Sequence, residues 1–425
     1  MVREPIRMRL RSNDAADDVR MRGFAKRQTV GAALAWLDSQ LRPLACEAVP
    51  LRTARGRVLA ETMVSEFDVP GFDRATMDGY AVVAFSTDGA TPYTPLSLTV
   101  VGDSMPGRPF GGVLSTGEAV RVMTGAPMPR GADAVLPAEQ TDVGDLQGSA
   151  RINAIASVSP GKNLGKRGED ITRGTTLLRP VRVLRPQDLG VLSSVGISEV
   201  EVIRRPRVRL VVTGNELLES GSRPHGFQIT DANGPMLAAL VERDGGIVEF
   251  PGLIRDDETS ILEALHSEVD IVIVSGGSSV GVEDLAPVLV AQHGELAVHG
   301  IAMRPSSPTG MGRIGHRLVM LLPGNPVSNL CAYDFFAGRA IRALGGRSKE
   351  WPYRQVQGIL SRKISSPIGR LDYSRVKISD GVVEPVSIGG ASLLSSTTRA
   401  DGFVIVGDDS EGFAAGAKVD VWLYD

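Results

Sequence analysis

The feature that most constrains the fold is an alternation of short apolar runs with helical segments between residues 207 and 345. The apolar runs are "RVRLVVTG", "IVEFPGLI", "DIVIVSGG" and "LVMLLPG", each of which has the length and composition of a buried strand. The helical segments are "GPMLAALVERDG", with Asp231 or Asn233 as its cap, "DETSILEALHSEV", "EDLAPVLVAQH" and "NPVSNLCAYDFFAGRAIRAL". Strands and helices that alternate in this way predict a doubly wound, mostly parallel sheet, and hence a central α/β domain.

The rest of the chain has a different residue pattern. Many short β-type runs, separated by Gly and Pro, fill residues 64–160 and 350–425, which predicts a small β module on each side of the α/β region. Gln28–Leu41 has apolar residues at helical spacing, with Thr29 available as the cap. A second short helix, "PQDLGVLSSVG", interrupts an extended region at 176–204. A chain of 425 residues exceeds one compact core, so we expect two to four domains.

Composition excludes several classes of protein. A net charge of −3 argues against a nucleic-acid or anionic-membrane binder, and no apolar run reaches transmembrane length. Cys46 and Cys331 are too few for a disulfide framework, which favours a cytoplasmic protein. The five histidines are scattered, so a His/Cys zinc site is not expected.

The first 27 residues carry eight Arg or Lys residues and no apolar core of a signal peptide. We expect a disordered leader there. Met8 or Met21 could serve as the start codon as well as Met1.

Four loops of the α/β region follow predicted strands, at the sheet edge where open α/β sheets bind ligands. "TGNELLE" offers Glu216, "IRDDETS" offers Asp256, and "LPGNPVS" places Pro326 near a helix start. "SGGSSVGVED" is rich in glycine and hydroxyl groups, including Ser279, and ends at Asp284. Three carboxylates and a loop able to turn N–H groups toward an anion predict a site for a divalent cation and phosphate.

Each loop also has a purely structural interpretation. Asp256 could cap the following helix, which is the commoner role of an aspartate at that place. Glu216 could be a solvated helix residue, and "PGNP" a simple turn. "SGGSSVG" matches neither a Walker nor a dinucleotide fingerprint.

Seven stretches, taken in order, identify a family resemblance. They are "FDRATMDGYAV", "RVMTGAPMP", "RGEDI", "TGNEL", "LIRDD", "SGGSSVGVED" and "LPGNPVS". Over about residues 28–425 the chain resembles the molybdopterin molybdenumtransferases, the family of MoeA and of the E domain of gephyrin and its plant counterpart. The resemblance implies insertion of molybdate into adenylylated molybdopterin with release of AMP. It also implies Mg²⁺ and an elongated homodimer of four-domain subunits.

With the resemblance added, the expected organisation has five parts. These are the disordered leader at 1–27, an elongated linker or dimerisation domain at 28–63 and 161–206, an inserted β-rich domain at 64–160, a molybdopterin-binding-like α/β domain at 207–347, and a C-terminal β-barrel domain at 348–425.

The resemblance also implies functional residues. The catalytic carboxylates would be Asp78, Glu216, Asp256 and Asp284, of which the last three would hold Mg²⁺. The substrate-binding residues would be Thr124, Asp170, Ser279, Arg304, Pro323, Pro326, Ser328, Arg370 and Ser396. Without the resemblance, Asp78 in "MDGY" would be interpreted as holding its own turn through side-chain hydrogen bonds.

The sequence departs from the family at the loop that usually reads "KPGKP". Here "MRPSSPTGMG" (303–312) has Arg304 for the first lysine and Ser307 for the second, so one positive charge is lost where the molybdate dianion would bind. Asn215 in "TGNEL" replaces an aspartate, and "LAPV" after Asp284 replaces an aromatic residue and a lysine. Either Arg304 and Arg370 suffice, or the chain is a paralogue with reduced activity.

Two functions therefore remain open at this stage. The first is the transferase, which the clustered carboxylates favour. The second is a gephyrin-like dimeric scaffold that binds a partner peptide, which the missing loop lysine favours.

Overall fold

The computed structural model describes residues 27–142, 151–277, 284–387 and 390–424. The chain divides into two compact units. The smaller consists of Ala48–Arg55 and Leu59–Glu201; the larger consists of the segment that ends at Glu47, Gly56–Val58 and Val202–Asp425. In the described ranges, no helix combines the length and hydropathy that crossing a membrane requires.

The elements up to residue 203 are mostly short strands. The helices are α1 (Val30–Gln40) and α2 (Pro186–Ser194), and the strands are β1 (Cys46–Pro50), β2 (Val58–Leu59), β3 (Met63–Val64), β4 (Arg74–Ala75), β5 (Gly79–Val82), β6 (Leu96–Ser104), β7 (Glu118–Val122), β8 (Ala134–Pro137), β9 (Thr141–Asp142), β10 (Arg151–Ala154), β11 (Leu164–Gly165), β12 (Thr176–Leu178) and β13 (Glu199–Ile203). Thr29 caps α1, as predicted: its side chain accepts a hydrogen bond from the N–H group of Ala32.

The smaller unit is built on a six-stranded sheet in the order β8-β5-β7-β6-β10-β9. Successive side chains of a strand point to opposite faces, so the sheet buries a small core on each side. Leu98, Leu136 and Ile152 pack on one face. Val120 and Val122 pack on the other. Two-stranded ladders, β4 with β11 and β3 with β12, complete this unit.

The elements after residue 203 alternate between strands and helices before returning to strands. The helices are α3 (Asn233–Arg243), α4 (Glu258–Leu265), α5 (Leu285–His293), α6 (Pro326–Ala332), α7 (Gly338–Leu344) and α8 (Ser395–Thr398). The strands are β14 (Arg207–Thr213), β15 (Leu217–Leu218), β16 (Ile229–Thr230), β17 (Ile247–Glu249), β18 (Leu253–Ile254), β19 (Ile271–Ser275), β20 (Glu295–His299), β21 (Met303–Arg304), β22 (Gly310–Ile314), β23 (Arg317–Leu322), β24 (Arg354–Leu360), β25 (Ile364–Ser365), β26 (Leu371–Ser379), β27 (Val382–Ser387), β28 (Gly402–Val406), β29 (Gly412–Phe413) and β30 (Lys418–Leu423).

The larger unit contains the predicted α/β sheet, with the order β17-β14-β19-β23-β22-β20 and with β18 also paired to β14. The four strands from β17 to β23 run parallel to one another. Strand β22 is antiparallel to β23, and β20 is antiparallel to β22. Helix α1 packs Ala33 and Leu37 into the core on one side of this sheet, beside Leu210 and Ile273. The prediction of a doubly wound, mostly parallel sheet is confirmed.

Three local expectations were wrong. The run "IVEFPGLI" is not one strand but two, β17 and β18, with Pro251 and Gly252 between them. The loop at 303–312 contains β21 and the start of β22, because tertiary pairing with β26 and β23 overrides its Pro- and Gly-rich composition. The last long helix is interrupted by a π-helical turn at Tyr333–Ala337.

The C-terminal strands close into a barrel. Its order is β26-β27-β24-β30-β28, and β28 pairs again with β26, so the five strands leave no free edge between them. Val376, Val404 and Val421 fill its interior. The expected β-barrel module is confirmed. The short strand β21 adds in parallel to β26 and brings Arg304 opposite Asp372.

Candidate active site

A cavity of about 810 Å³ opens in the larger unit. Its walls come from residues 302–308, from residues 323–328 at the start of α6, from residues 368–375 around the start of β26, and from residues 390–391; Arg27 also lines it. Four residues that the sequence assigned to substrate binding line it: Arg304, Pro323, Ser328 and Arg370. Segments separated by many residues in the chain therefore build one concave surface.

The cavity is basic. The arginines that line it are Arg27, Arg304, Arg370 and Arg375. Of the described residues that form its walls, none is aspartate or glutamate. Such a surface favours an anion.

Asp372 lies behind this wall and fixes two of the arginines. It is only 2% exposed, and its carboxylate accepts hydrogen bonds from Arg304 Nη2 and from Arg370 Nε, the latter at 3.1 Å. Charge-assisted bonds to one buried carboxylate hold both guanidinium groups in defined orientations. Both arginines line the cavity, and neither guanidinium group makes a further hydrogen bond among the described residues.

The loop between β21 and β22 folds back onto helix α6. Ser306 is in the left-handed region, with φ of 90°, and its hydroxyl donates to the backbone carbonyl of Ser328. The next residue, Ser307, lines the cavity, and its buried Oγ has no hydrogen-bond partner among the described residues. A buried, unpaired hydroxyl at this wall is suited to a polar ligand.

Two carboxylates converge beside Gly277, at the carboxyl end of β19. The Oδ1 atoms of Asp256 and Asp284 each lie 3.9 Å from the position that a Cβ atom on Gly277 would take, and Thr213 Oγ1 lies 3.8 Å from it. At Gly276, where φ is 102°, a Cβ atom would lie 2.5 Å from the carbonyl oxygen of Thr213. Close backbone approach therefore requires glycine at position 276.

Asp256 does not cap helix α4, contrary to the commoner interpretation of such a residue. Asp257 is the cap: its carboxylate accepts from Ser260 N at 2.8 Å and from Ser260 Oγ at 3.1 Å. These bonds lower the pKa of Asp257. Because the neighbour takes the capping role, the Asp256 carboxylate can face Gly277.

Glu216 differs from Asp256 and Asp284 in its exposure to solvent, since those two are half-buried. It is exposed, and its Oε2 lies 2.9 Å from the point that a Cβ atom on Gly214 would occupy. Within the described ranges, no three His, Cys, Asp or Glu side chains form a group that could hold a metal ion. The expected three-carboxylate set of Glu216, Asp256 and Asp284 is therefore not assembled in this structure.

The structure describes two of the three other predicted residues of the larger unit. Pro326 occupies the first turn of α6, as expected from its missing N–H group. Ser396 is 1% exposed, and its hydroxyl donates to the carbonyl of Leu393 within its own turn. Ser279 lies outside the described residues.

The smaller unit holds the "MDGY" corner. Asp78 is exposed, and its Oδ1 accepts from Thr124 N at 2.7 Å and from Thr124 Oγ1 at 2.8 Å. These two bonds, the backbone one first, lower the pKa of Asp78. At Gly79 a Cβ atom would lie 2.1 Å from the carbonyl oxygen of Leu136, so only glycine fits beside β8. Asp170 is also exposed, and no hydrogen bond among the described residues joins it to this pair.

Sequence reasoning missed a network of buried amides that positions the loops. Asn233 Nδ2 donates to Ser275 Oγ at 3.0 Å and to the carbonyl of Gly324 at 2.7 Å. Asn329 Nδ2 donates to the same Oγ at 2.9 Å and to the carbonyl of Pro323 at 3.0 Å. The network ties the end of β19 to the turn before α6. Asn233 is the first residue of α3, whereas Asn329 lies inside α6, so no shared local pattern marked the two residues in the sequence.

The chain matches three family models in succession. They are the MoeA N-terminal region (domain I and II) over residues 28–196, a probable molybdopterin binding domain over 209–343, and the MoeA C-terminal region (domain IV) over 357–424. The chain belongs to the MoeA family. The resemblance inferred from seven stretches is thus confirmed.

Similar MoeA-family proteins cover most of the chain. A protein named molybdopterin molybdenumtransferase 2, from Mycobacterium tuberculosis, is 35% identical over 387 residues, which is 88% of this chain and 94% of that protein. The molybdopterin molybdenumtransferase of Haemophilus influenzae is 32% identical over 388 residues, 89% of this chain and 94% of that protein. The crystal structure of a molybdopterin biosynthesis moeA protein from Pyrococcus horikoshii has a TM-score of 0.73 at 33% identity and covers 94% of this chain and 100% of that one.

Proposed function

We propose that this protein is a molybdopterin molybdenumtransferase, which inserts molybdate into adenylylated molybdopterin and releases AMP. The observation that carries the proposal is the basic cavity, in which Arg304 and Arg370 are oriented by one buried carboxylate. The relatives with that name span nearly the whole chain, which supports the same conclusion.

The cavity has the chemistry that an oxyanion requires. Molybdate is a tetrahedral dianion, and a guanidinium group can offer it two parallel N–H donors. Arg375, which is 3% exposed, adds a further positive charge, and burial lowers its pKa. An anion in the cavity would offset this cost of desolvation. We propose that Ser328 and Pro323 shape the same subsite.

The carboxylates beside Gly277 fit a divalent cation. Mg²⁺ prefers oxygen ligands and is usually held by one or two protein carboxylates together with substrate phosphates. We propose that Asp256 and Asp284 hold it, and that Glu216 acts through another contact. Mg²⁺ bound there would offset the charge of the substrate's phosphates.

We further propose that Asp78 and Thr124 contact substrate as a unit. Since its pKa is lowered, Asp78 is ionised at neutral pH and suits the role of an acceptor or orienting group rather than that of a general acid. Asp170, Pro326, Ser279 and Ser396 remain candidates for substrate contacts. A cytoplasmic homodimer with Mg²⁺-dependent activity completes the proposal.

The gephyrin-like scaffold is not favoured. Relatives aligned over 88% or more of the chain are named as transferases. A partner peptide at the dimer has no support among the described features.

Complementation tests the proposal. In a bacterial strain that lacks its own molybdenum-insertion enzyme, expression of this chain should restore the activity of a molybdoenzyme, and the D284N variant should not. Correctly folded wild-type protein that fails to restore it would contradict the proposal.

A further inference from the structure

We propose that Arg27 is a substrate-binding residue and supplies the positive charge that the family's basic loop has lost at Ser307. This inference rests on the proposed function, because it takes molybdate as the anion in the cavity. The sequence patterns assigned no function to Arg27, which precedes α1.

Hydrogen bonds fix the position of Gln28, the residue that follows Arg27. Gln28 forms a parallel bridge with Ile301: its N–H donates to the carbonyl of Gly300 at 3.0 Å, and its carbonyl accepts from Ala302 N at 2.8 Å. Its side-chain amide donates to the carbonyl of Ala297 at 3.1 Å. Helix α1 begins two residues later and is buried at Val30. The bridge at Gln28 thus fixes the backbone beside Arg27, which lines the cavity.

This contact places Arg27 beside the altered loop. Residues 302–308 and Arg27 line the same cavity, and Gln28 pairs with the backbone that leads directly into that loop. In the part of the chain that the structure describes, no acidic side chain forms an ion pair with Arg27. Arg27 therefore lines the cavity with a charge that no ion pair among the described residues neutralises.

The charge of Arg27 matters because other charges around the cavity partly cancel. Asp372 offsets part of the positive charge of Arg304 and Arg370, since one carboxylate accepts from both. Ser307 is neutral where a lysine is usual in the family. Arg375 is the third guanidinium group in the cavity wall, so Arg27 is the fourth, and it returns the one positive charge that a lysine in place of Ser307 would supply.

The test measures molybdate affinity by calorimetry on the purified full-length protein. R27Q should bind molybdate about tenfold more weakly than wild type, a change of about 1.4 kcal/mol. R27K should retain most of the affinity because it keeps the charge. The control is R52Q, which removes an exposed arginine from the other unit and should bind like wild type. Thermal melting should be unchanged in R27Q, since Gln28 and α1 hold the segment.

A double variant tests the compensation itself. R27Q/S307K should regain the affinity that R27Q loses, because a lysine returns to the family's usual position. The inference is overturned if R27Q binds molybdate as tightly as wild type, if R52Q loses as much as R27Q, or if the double variant is no better than R27Q. Wild-type protein that neither binds molybdate nor releases AMP would instead overturn the proposed function, so the two failures are distinguishable.

Discussion

Replacing Arg370 by glutamine should weaken molybdate binding strongly while leaving the fold intact. In the structure Arg370 contributes Nε to Asp372 at 3.1 Å, and its side chain is 31% exposed. The variant loses one charge-assisted contact to the anion, worth about 1.5–3 kcal/mol. It also leaves Asp372 with less positive charge beside it, which adds repulsion toward a dianion. We expect a total loss of about 2–4 kcal/mol, which is about a 30- to 700-fold rise in Kd.

Calorimetric titration with molybdate measures this loss, and thermal melting checks the fold. R370K should fall between wild type and R370Q, because lysine keeps the charge but cannot bridge Asp372 and the anion with a planar fork. R354Q is a matched control, since Arg354 is an exposed arginine at the start of β24 in the same barrel. An R370Q protein that melts like wild type and binds molybdate within about twofold of it would show that Arg370 does not hold the anion.

Three further predictions follow from other parts of the structure. D284N should abolish molybdate-dependent AMP release, because an amide is a weaker ligand for a divalent cation than a carboxylate; unchanged turnover would remove Asp284 from the mechanism. S307K should lower the KM for molybdate by returning a charge to the cavity, and an unchanged or higher KM would count against a charge deficit. Burial raises the pKa of Asp334 from 3.8 to about 6, so its contribution to stability is complete below pH 4 and is lost as the pH rises through 6. Wild-type protein should therefore lose about 2 kcal/mol of unfolding free energy between pH 4 and 6 that D334N does not lose. Unfolding free energies from urea denaturation that change with pH in the same way for the two proteins would contradict this sign.

Local patterns predicted the architecture because they reflect local physics. The apolar runs of β14, β19 and β23 are buried on both faces, and Thr29 caps α1 through its own side chain. Gly79 stands in the "MDGY" motif of the sequence, but the reason that it must be glycine is a tertiary contact. A Cβ atom there would lie 2.1 Å from the carbonyl oxygen of Leu136 in β8.

The site was less predictable because its residues act over long sequence distances. A carboxylate at a helix start can reach one of several N–H groups, and only the fold shows that Asp257, not Asp256, takes the cap. The roles of Asp372 and Arg27 depend on β21 pairing with β26 and on Gln28 pairing with Ile301, neither of which has a local signature. The sequence pointed to Arg304 and Arg370 separately, but the carboxylate that links them is visible only in three dimensions.

The most direct test of the account is molybdate-dependent AMP release by the purified protein supplied with adenylylated molybdopterin and Mg²⁺. AMP should appear only when molybdate is present, and the molybdate concentration required should rise in R370Q. AMP release that does not depend on molybdate, or no release by well-folded protein, would contradict it.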